Sequence, residues 1–165
     1  MQKEYIDMTL REFPSEAFPA FPNIQVDAGV EWDNWNLPGS VLSLKKVKKG
    51  SFTSNVLINV RTVSLDYGFD AYKAEIQGYA KNLANIKFIS EGLHDVNGYQ
   101  WEVVEYAYID EDSGPLAQFL AATFIEKEAV KIMVSFTGTV GIKDQTHNPD
   151  YIEIQNIFRS VKIDE

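Results

Sequence analysis

Two histidines are the first residues of this sequence whose chemistry could support catalysis or metal binding. His94 lies beside the turn-forming stretch 95–98, and His147 directly precedes Asn148-Pro149. A zinc site needs three or four ligands at characteristic spacing, and neither histidine has a second one nearby. We therefore interpret both histidines as solvated loop residues, and the sequence predicts no metal site.

Two glutamates in an aromatic stretch are the other candidates for acid–base chemistry. If this stretch is a regular strand, Glu105 lies on the face of Trp101 and Glu102 lies on the face of Tyr106. A carboxyl group buried beside Trp101 would have a raised pKa and could act as a general acid or base. The alternative is a bulge that turns Glu105 outward, or a sheet end open to water. One carboxylate alone does not make an active site.

Other reactive motifs are absent from the sequence. It contains no cysteine, which excludes thiol nucleophiles, disulfides and thiolate metal sites. The G-x-S-x-G pattern of serine hydrolases is missing, and the pair Gly138 and Gly141 is too short for a phosphate-binding loop. The acidic stretch 110–114 lacks the glutamate that a calcium loop needs at its twelfth position. We therefore predict no catalytic residue and no cofactor.

The charge balance limits the class of partner. The 15 Lys and Arg residues and 24 Asp and Glu residues give a formal net charge of −9. Nucleic-acid binding depends on clustered cations, so no nucleic-acid partner is expected. The lysines at 45, 46, 48 and 49 are interpreted as the exposed end of a hairpin, and a small acidic partner surface is the alternative.

The expected cellular location follows from the absence of a membrane-spanning helix and of a recognisable signal sequence. No stretch approaches the ~20 apolar residues of a membrane-spanning helix, and the first residues do not resemble a signal sequence. The sequence as it stands is therefore expected to be cytoplasmic, with no integral membrane segment. The alternative is an exported or cell-envelope protein that has lost its leader.

Residues 1–22 form a Phe/Pro-rich segment before the first predicted strand. Three Phe-Pro steps place aromatic rings at Phe13, Phe18 and Phe21. Proline fixes its own φ angle and favours extended geometry in the preceding residue, so we expect an extended N-terminal strap. The three rings either pack along the flank of the same domain or dock the strap on another chain.

Trp32 and Trp35 are the remaining candidates for a partner- or ligand-binding surface. Aromatic side chains provide rigid contact area at interfaces, although they fill cores more often. Because the two indoles flank Asp33-Asn34, we expect one to be buried and the other to be partly exposed.

Helical periodicity predicts two helices. Apolar residues at spacings of three and four predict the first helix over 69–83, capped by Asp66 or Asp70. Gly78 within it would allow a close approach to the sheet. The second helix begins at Pro149 after the cap Asn148.

Alternating apolar residues and turns predict the strands. In the last of them Ile132 alternates with Lys131 and Met133, which predicts one buried and one exposed face. The predicted strands are 24–30, 41–47, 52–63, 86–93, 99–109, 117–125 and 130–137.

The predicted fold is α+β in a single domain over 23–165. Tight turns, with Asn97-Gly98 as the clearest hairpin motif, predict an antiparallel sheet of about six or seven strands packed with two main helices. The helices could share a face. The stretch 99–109 is apolar on both faces, which favours a sandwich with a helix on each side.

Four features together resemble a known family over roughly residues 24–163. They are the strand and tryptophan region 24–35, the strand 54–60 leading into a helix, the hairpin 92–99 followed by 114–118, and the closing segment 157–162. The chain resembles the bacterial LpqN/DcrB-like proteins, whose α/β/α sandwich is the PsbP-like fold that PsbP shares with the Ran-binding Mog protein. The resemblance implies a PsbP-like domain and a non-enzymatic binding function.

The resemblance also implies a protein-binding adaptor or chaperone linked to secretion or the cell envelope. LpqN-like proteins are exported lipoproteins, but this sequence has no lipobox cysteine, whereas the DcrB-like group includes cytoplasmic chaperones for secretion-system effectors. A protein, a second copy of this chain or a small amphiphile is the implied partner. The alternatives are an LpqN-like envelope protein that binds a lipid or amphiphile, and a small enzyme using Glu105 or a histidine.

Overall fold

The structure is a computed structural model that describes residues 9–142 and 149–165. Within these residues the chain forms strands and helices in the order β1 (Asn23–Gln25), β2 (Asp33–Asn34), β3 (Leu42–Lys46), β4 (Ser54–Val63), α1 (Phe69–Ala80), β5 (Lys87–Val96), β6 (Tyr99–Asp110), β7 (Gly114–Glu126), β8 (Lys131–Gly141), α2 (Pro149–Arg159) and β9 (Lys162–Asp164). Neither of the described helices is both long and apolar enough to cross a lipid bilayer.

Seven strands form one antiparallel sheet in the order β2-β3-β4-β8-β7-β6-β5. The turn between β5 and β6 places Asn97 at a φ of 47° and Gly98 at 87°, the positive values that a two-residue hairpin turn requires. The pairing of β4 with β8 joins the first half of the chain to the second at the centre of the sheet. The predicted strand number, antiparallel arrangement and Asn-Gly hairpin are confirmed.

Different helices cover the two faces of this sheet. Trp101 on β6 packs against Phe158 of α2, with ring centroids 5.2 Å apart. Val104, on the opposite face of the same strand, packs with Ala80 of α1. Because one strand contributes to two separate cores, the helices lie on opposite faces. This arrangement is the predicted α/β/α sandwich.

Strand β8 is buried on both faces, so the prediction of one exposed face is wrong. Ile132 belongs to the core beneath α2, whereas Met133 packs with Tyr72 of α1. Lys131 is only 8% exposed, and its ammonium group donates a hydrogen bond to the carbonyl of Tyr67 at 2.9 Å. The polarity of a single strand does not reveal that a second helix covers its other face.

Helix α1 begins without a side-chain cap. Its N-cap residue is Gly68, in extended geometry, and no side chain hydrogen-bonds to the first turn. Asp66 instead accepts a hydrogen bond from the hydroxyl of Ser64. The predicted cap by Asp66 or Asp70 is therefore wrong.

Helix α2 begins at Pro149, as predicted, and its predicted cap Asn148 lies outside the described residues. A Cβ atom added to Gly138 of β8 would lie 2.3 Å from Cγ2 of Ile154, so the close contact between α2 and the sheet requires glycine. The close approach predicted at Gly78 is not found, because a Cβ atom there would have no neighbour within 4 Å.

A small second sheet joins the two ends of the described domain. β1 pairs with β9, with Ile24 opposite Ile163, and the N–H of Asp27 donates to Oγ of Ser160 at 2.8 Å. The first strand is shorter than the predicted 24–30 because its partner β9, which the sequence did not predict, has only three residues.

Candidate functional site

The strap exposes the rings of its three phenylalanines. Phe13 is 69% exposed, Phe18 58% and Phe21 47%. Within the strap the N–H of Ser15 donates to the carbonyl of Phe18 at 2.9 Å, and the N–H of Phe18 donates to Oγ of Ser15 at 3.1 Å. The three rings are therefore partly exposed, on a segment that bends between residues 13 and 18.

The strap is attached to the sandwich through β1. Ile24 and Val26 pack against the core beneath α2, and the β1–β9 pairing holds the chain directly after residue 22. The exposed rings are consequently presented from a fixed point beside the C-terminal strand.

The two tryptophans have different environments, as predicted. Trp32 belongs to the core, is 6% exposed, and donates from Nε1 to Oε2 of Glu153 at 2.9 Å. Trp35 is half-buried, and its backbone N–H donates to the carbonyl of Ser43 at 2.9 Å. Trp35 lines a shallow cleft of about 250 Å³ with Leu37. Of the two indoles, it is Trp35 that leaves surface for a partner.

Two lysines of the predicted hairpin end bind acidic residues of α2. Nζ of Lys46 lies 3.0 Å from Asp150 and 2.9 Å from Glu153, and Nζ of Lys48 lies 2.8 Å from Asp150. Oγ of Ser54 donates to Asp150 at 2.8 Å. These two lysines therefore do not simply decorate a hairpin, because they tie β3 and the turn after it to the start of α2.

The ionisation of this cluster is shifted in the direction of the ion pairs. Burial of Asp150 acts to raise its pKa, but hydrogen bonds from Lys48, Ser54 and Lys46 outweigh burial and lower the pKa below its ordinary value. The hydrogen bond to Glu153 is the largest cause of the raised pKa of Lys46. Both partners are held in their charged forms.

Glu105 faces α2, on the side of Trp101, as the alternation of a regular strand predicts. β6 pairs regularly with β7 there, and the irregular register lies in β5, between Phe88 and Ser90. The Glu105 carboxylate accepts hydrogen bonds from the hydroxyls of Tyr151 and Ser90 and, at 3.3 Å, from the amide of Gln155. Burial, with the bond to Glu105, raises the pKa of Tyr151. Both carboxylate oxygens of Glu105 are engaged in structural contacts.

His94 lies in strand β5 and not in a loop, although it is exposed as predicted. With Glu105 and Asp95 it lines a cleft of about 170 Å³ between β5 and α2. Across residues 9–142 and 149–165, no three metal-ligating side chains converge to hold an ion. His147 lies outside the described residues. The cleft brings a histidine and two acids to one place, but the described hydrogen bonds do not join them.

The buried carboxyl group of β6 is Glu102, which sequence reasoning passed over in favour of Glu105. Glu102 is 3% exposed, and its Oε1 atom has no hydrogen-bond partner among the described residues. Burial is the largest cause of its raised pKa, and the charge of Lys73 only partly opposes it. The sequence pattern that could have found it is the placement of Glu102 on the apolar face of Val104 and Tyr106.

Comparison with known proteins gives a fold but no sequence family. No protein-family model and no curated protein matches the chain. Among solved structures, LpqN from Mycobacterium tuberculosis, which is involved in cell envelope biogenesis, matches with a TM-score of 0.72 and 10% identity over 89% of this chain and 86% of LpqN.

Two further structures share the architecture. The PsbP protein of Synechocystis sp. PCC 6803 matches with a TM-score of 0.54 and 10% identity over 94% of this chain and 98% of that protein. A Pseudomonas aeruginosa protein of unknown function matches with a TM-score of 0.50 and 15% identity over 76% of this chain and 94% of that protein. These likenesses, together with the seven-stranded sheet between two helices, give the chain the LpqN/PsbP-like fold that the sequence predicted.

Proposed function

We propose that this chain is a non-enzymatic binding module that docks a protein partner through its N-terminal strap. The observation that carries the proposal is the exposure of Phe13, Phe18 and Phe21 on one proline-stiffened segment. Exposed rings supply the apolar contact area that anchors an interface, and prolines reduce the conformational entropy that a segment loses on binding. The partner would offer an apolar groove that accepts the three rings.

The version we favour is an adaptor or chaperone linked to secretion or the cell envelope. LpqN is involved in cell envelope biogenesis, which supports an envelope-related partner for a chain of the same fold. The acidic net charge of −9 argues against nucleic acid as that partner. Trp35, half-buried beside its shallow cleft, is a second candidate contact, and Trp32 contributes to the core that supports it.

The LpqN-like alternative is binding of a lipid or amphiphile by the same exposed rings. The enzyme alternative would use Glu105 or a histidine. Use of Glu105 is disfavoured because Tyr151, Ser90 and Gln155 already hydrogen-bond to its carboxylate.

A comparison of three forms of the chain tests the proposal. The full chain, a chain lacking residues 1–22, and a variant with Phe13, Phe18 and Phe21 changed to serine would be used for pull-downs from extracts of the native cell. The matched control is Tyr79→Ser, which removes an aromatic ring that is 61% exposed on α1, outside the strap. We expect one polypeptide to be recovered with the full chain and the control, and to be lost with both strap variants.

Direct binding would then be measured with that polypeptide purified. A synthetic peptide of residues 9–22 should compete for it. Equal recovery by all forms would refute docking through the strap, and strap-dependent retention of phospholipid alone would favour the amphiphile alternative.

A further inference from the structure

A cleft lies between the start of α1 and the edge of the sheet. It has a volume of about 600 Å³, and its lining includes Gly68, Phe69 and Lys73 from the α1 side and Leu93 and Glu102 from the sheet. The cleft is on the α1 face of the sandwich, whereas β1, where the strap attaches, packs on the core beneath α2. It is therefore a separate surface from the one proposed above.

Glu102 places an unsatisfied acceptor at the floor of this cleft. Its side chain is 4% exposed, yet the nearest cation, Nζ of Lys73, is 3.9 Å from Oε1. That separation is too long for a hydrogen bond, and Oε1 has no other partner among the described residues. A buried carboxylate without a donor is costly, so the site is complementary to a positively charged donor.

The first turn of α1, by contrast, favours a negatively charged group. The N–H groups at a helix start lack partners within the helix and carry the positive end of its dipole. Here no side chain caps them, and residues 68–71 of this turn line the cleft beside the ammonium group of Lys73. The backbone N–H groups and Lys73 favour a ligand carboxylate in this part of the cleft, against the charge of Asp70 in the same turn.

We propose that the cleft binds a small zwitterion of the α-amino-acid class. Its ammonium group would donate to Glu102, and its carboxylate would face the first turn of α1 and Lys73. Phe69, Ala71 and Leu93 would contact an aliphatic side chain, because they supply the apolar part of the lining. Leu93 is 50% exposed and would be covered by such a ligand.

The charges around Glu102 agree with this assignment. Burial is the largest cause of the raised pKa of Glu102; the charges of Lys73 and, more weakly, His94 lower this pKa, whereas those of Glu91 and Asp70 raise it. Asp66 and Asp70 also line the cleft, so its carboxylates outnumber its one ammonium group. An anion without an ammonium group would be repelled by this excess of negative charge, whereas a zwitterion adds no net charge to the cleft.

Titration of the full chain with three matched probes, followed by amide chemical shifts, tests the proposal. L-leucine carries both charged groups, 3-methylbutylammonium lacks the carboxylate, and 4-methylpentanoate lacks the ammonium group. We expect saturable shifts from L-leucine at residues 68–73 and at Glu102, weaker binding of the ammonium probe, and the weakest binding of the carboxylate probe.

Two variants test which end of the ligand each charged residue binds. Glu102→Gln should weaken L-leucine binding about tenfold or more, since the hydrogen bond from the ligand ammonium group loses its negatively charged acceptor. Lys73→Met should weaken L-leucine binding while sparing 3-methylbutylammonium. The matched control is Glu128→Gln, the same change on an exposed residue of the β7–β8 turn.

Four outcomes would overturn the proposal. They are the absence of saturable shifts with L-leucine up to its solubility limit, shifts centred outside the cleft, tighter binding of 4-methylpentanoate than of L-leucine, and unchanged binding by a folded Glu102→Gln variant. Because the strap is not part of this site, none of these outcomes bears on partner docking.

Discussion

The two helix starts differ in how well the buried carboxylate beside each of them is paired. Each has a buried carboxylate beside it: Asp150 within the first turn of α2, and Glu102 on the sheet beneath α1. Asp150 is bound by Lys46, Lys48 and Ser54 at 2.8–3.0 Å. Glu102 has one cation, Lys73, at 3.9 Å. The first carboxylate is part of the framework, and the second faces a cleft without a matched donor.

The directions of the two pKa shifts express this difference. The pKa of Asp150 is lowered by its donors, so folding favours the ionised form. The pKa of Glu102 is raised by burial, so folding favours the protonated form. The negative charge of Asp150 therefore stabilises the fold, and that of Glu102 destabilises it. The two residues lie on opposite sides of one sheet.

The largest expected effect is that of Asp150→Ala. The change leaves Lys46 and Lys48 without their shared partner, and loss of one member of a buried pair costs about 3–5 kcal/mol. Chemical denaturation would measure the free energy of unfolding, with Asp70→Ala, an exposed first-turn acid of α1, as the control. A loss as small as that of the control would contradict a structural role for the α2 cluster.

A matched pair of lysine substitutions should show that the ion pairs at the two helix starts contribute differently to the free energy of unfolding. Lys46→Met removes hydrogen bonds to Asp150 and Glu153, and we expect a loss of about 2 kcal/mol in the free energy of unfolding. Lys73→Met removes only a long ion pair, and we expect a loss of about 0.5 kcal/mol or less. Similar losses in denaturation experiments would mean that the two carboxylates are equally well paired.

Glu102→Gln should change stability in the opposite direction, and the size of this gain should depend on pH. Because the folded pKa of Glu102 is raised above its ordinary value of 4.5, its ionisation lowers stability as the pH rises through 4.5 towards the folded pKa. The neutral variant should therefore gain about 1 kcal/mol over the wild type near neutral pH, and the difference should vanish below the unfolded pKa. Denaturation at several pH values measures it.

For Asp150→Ala, the difference in stability from the wild type should depend on pH in the reverse way. Because the folded pKa of Asp150 lies below 3.8, the contribution of its charge is present above 3.8 and is lost as the pH falls towards the folded pKa. The gap between the wild type and Asp150→Ala should therefore narrow in acid. Parallel pH profiles for the Glu102 and Asp150 variants would contradict the contrast between the two sites.

Much of the fold could be predicted because it depends on local patterns. Strand alternation, helical spacing, the Asn97-Gly98 turn and Pro149 at a helix start each act over a few residues. The predicted cap of α1 failed locally, but most of the other failures depend on distant partners. The pairing of β1 with β9, the coverage of β8 by a second helix, and the binding of Lys46 by α2 join residues that are far apart in the chain.

The candidate sites were less predictable for a related reason. Alternation correctly assigned the faces of Glu102 and Glu105, but it could not tell which face would supply hydrogen-bond donors. Tyr151 and Gln155 of α2 supply them to Glu105, and α1 supplies only the distant ammonium group of Lys73 to Glu102. An extended strap remains a prediction from its prolines, and the described strap bends between residues 13 and 18.

The β1–β9 pairing has a mechanical consequence for a chain held by its N-terminal segment. Asn23 lies opposite Asp164, so the outer ends of the two strands leave the small sheet at the same edge. Tension applied between these ends would separate the three residue pairs one after another, as a zipper opens, before it reached the seven-stranded sheet. Traction on the two ends would therefore act first on the β1–β9 pairs.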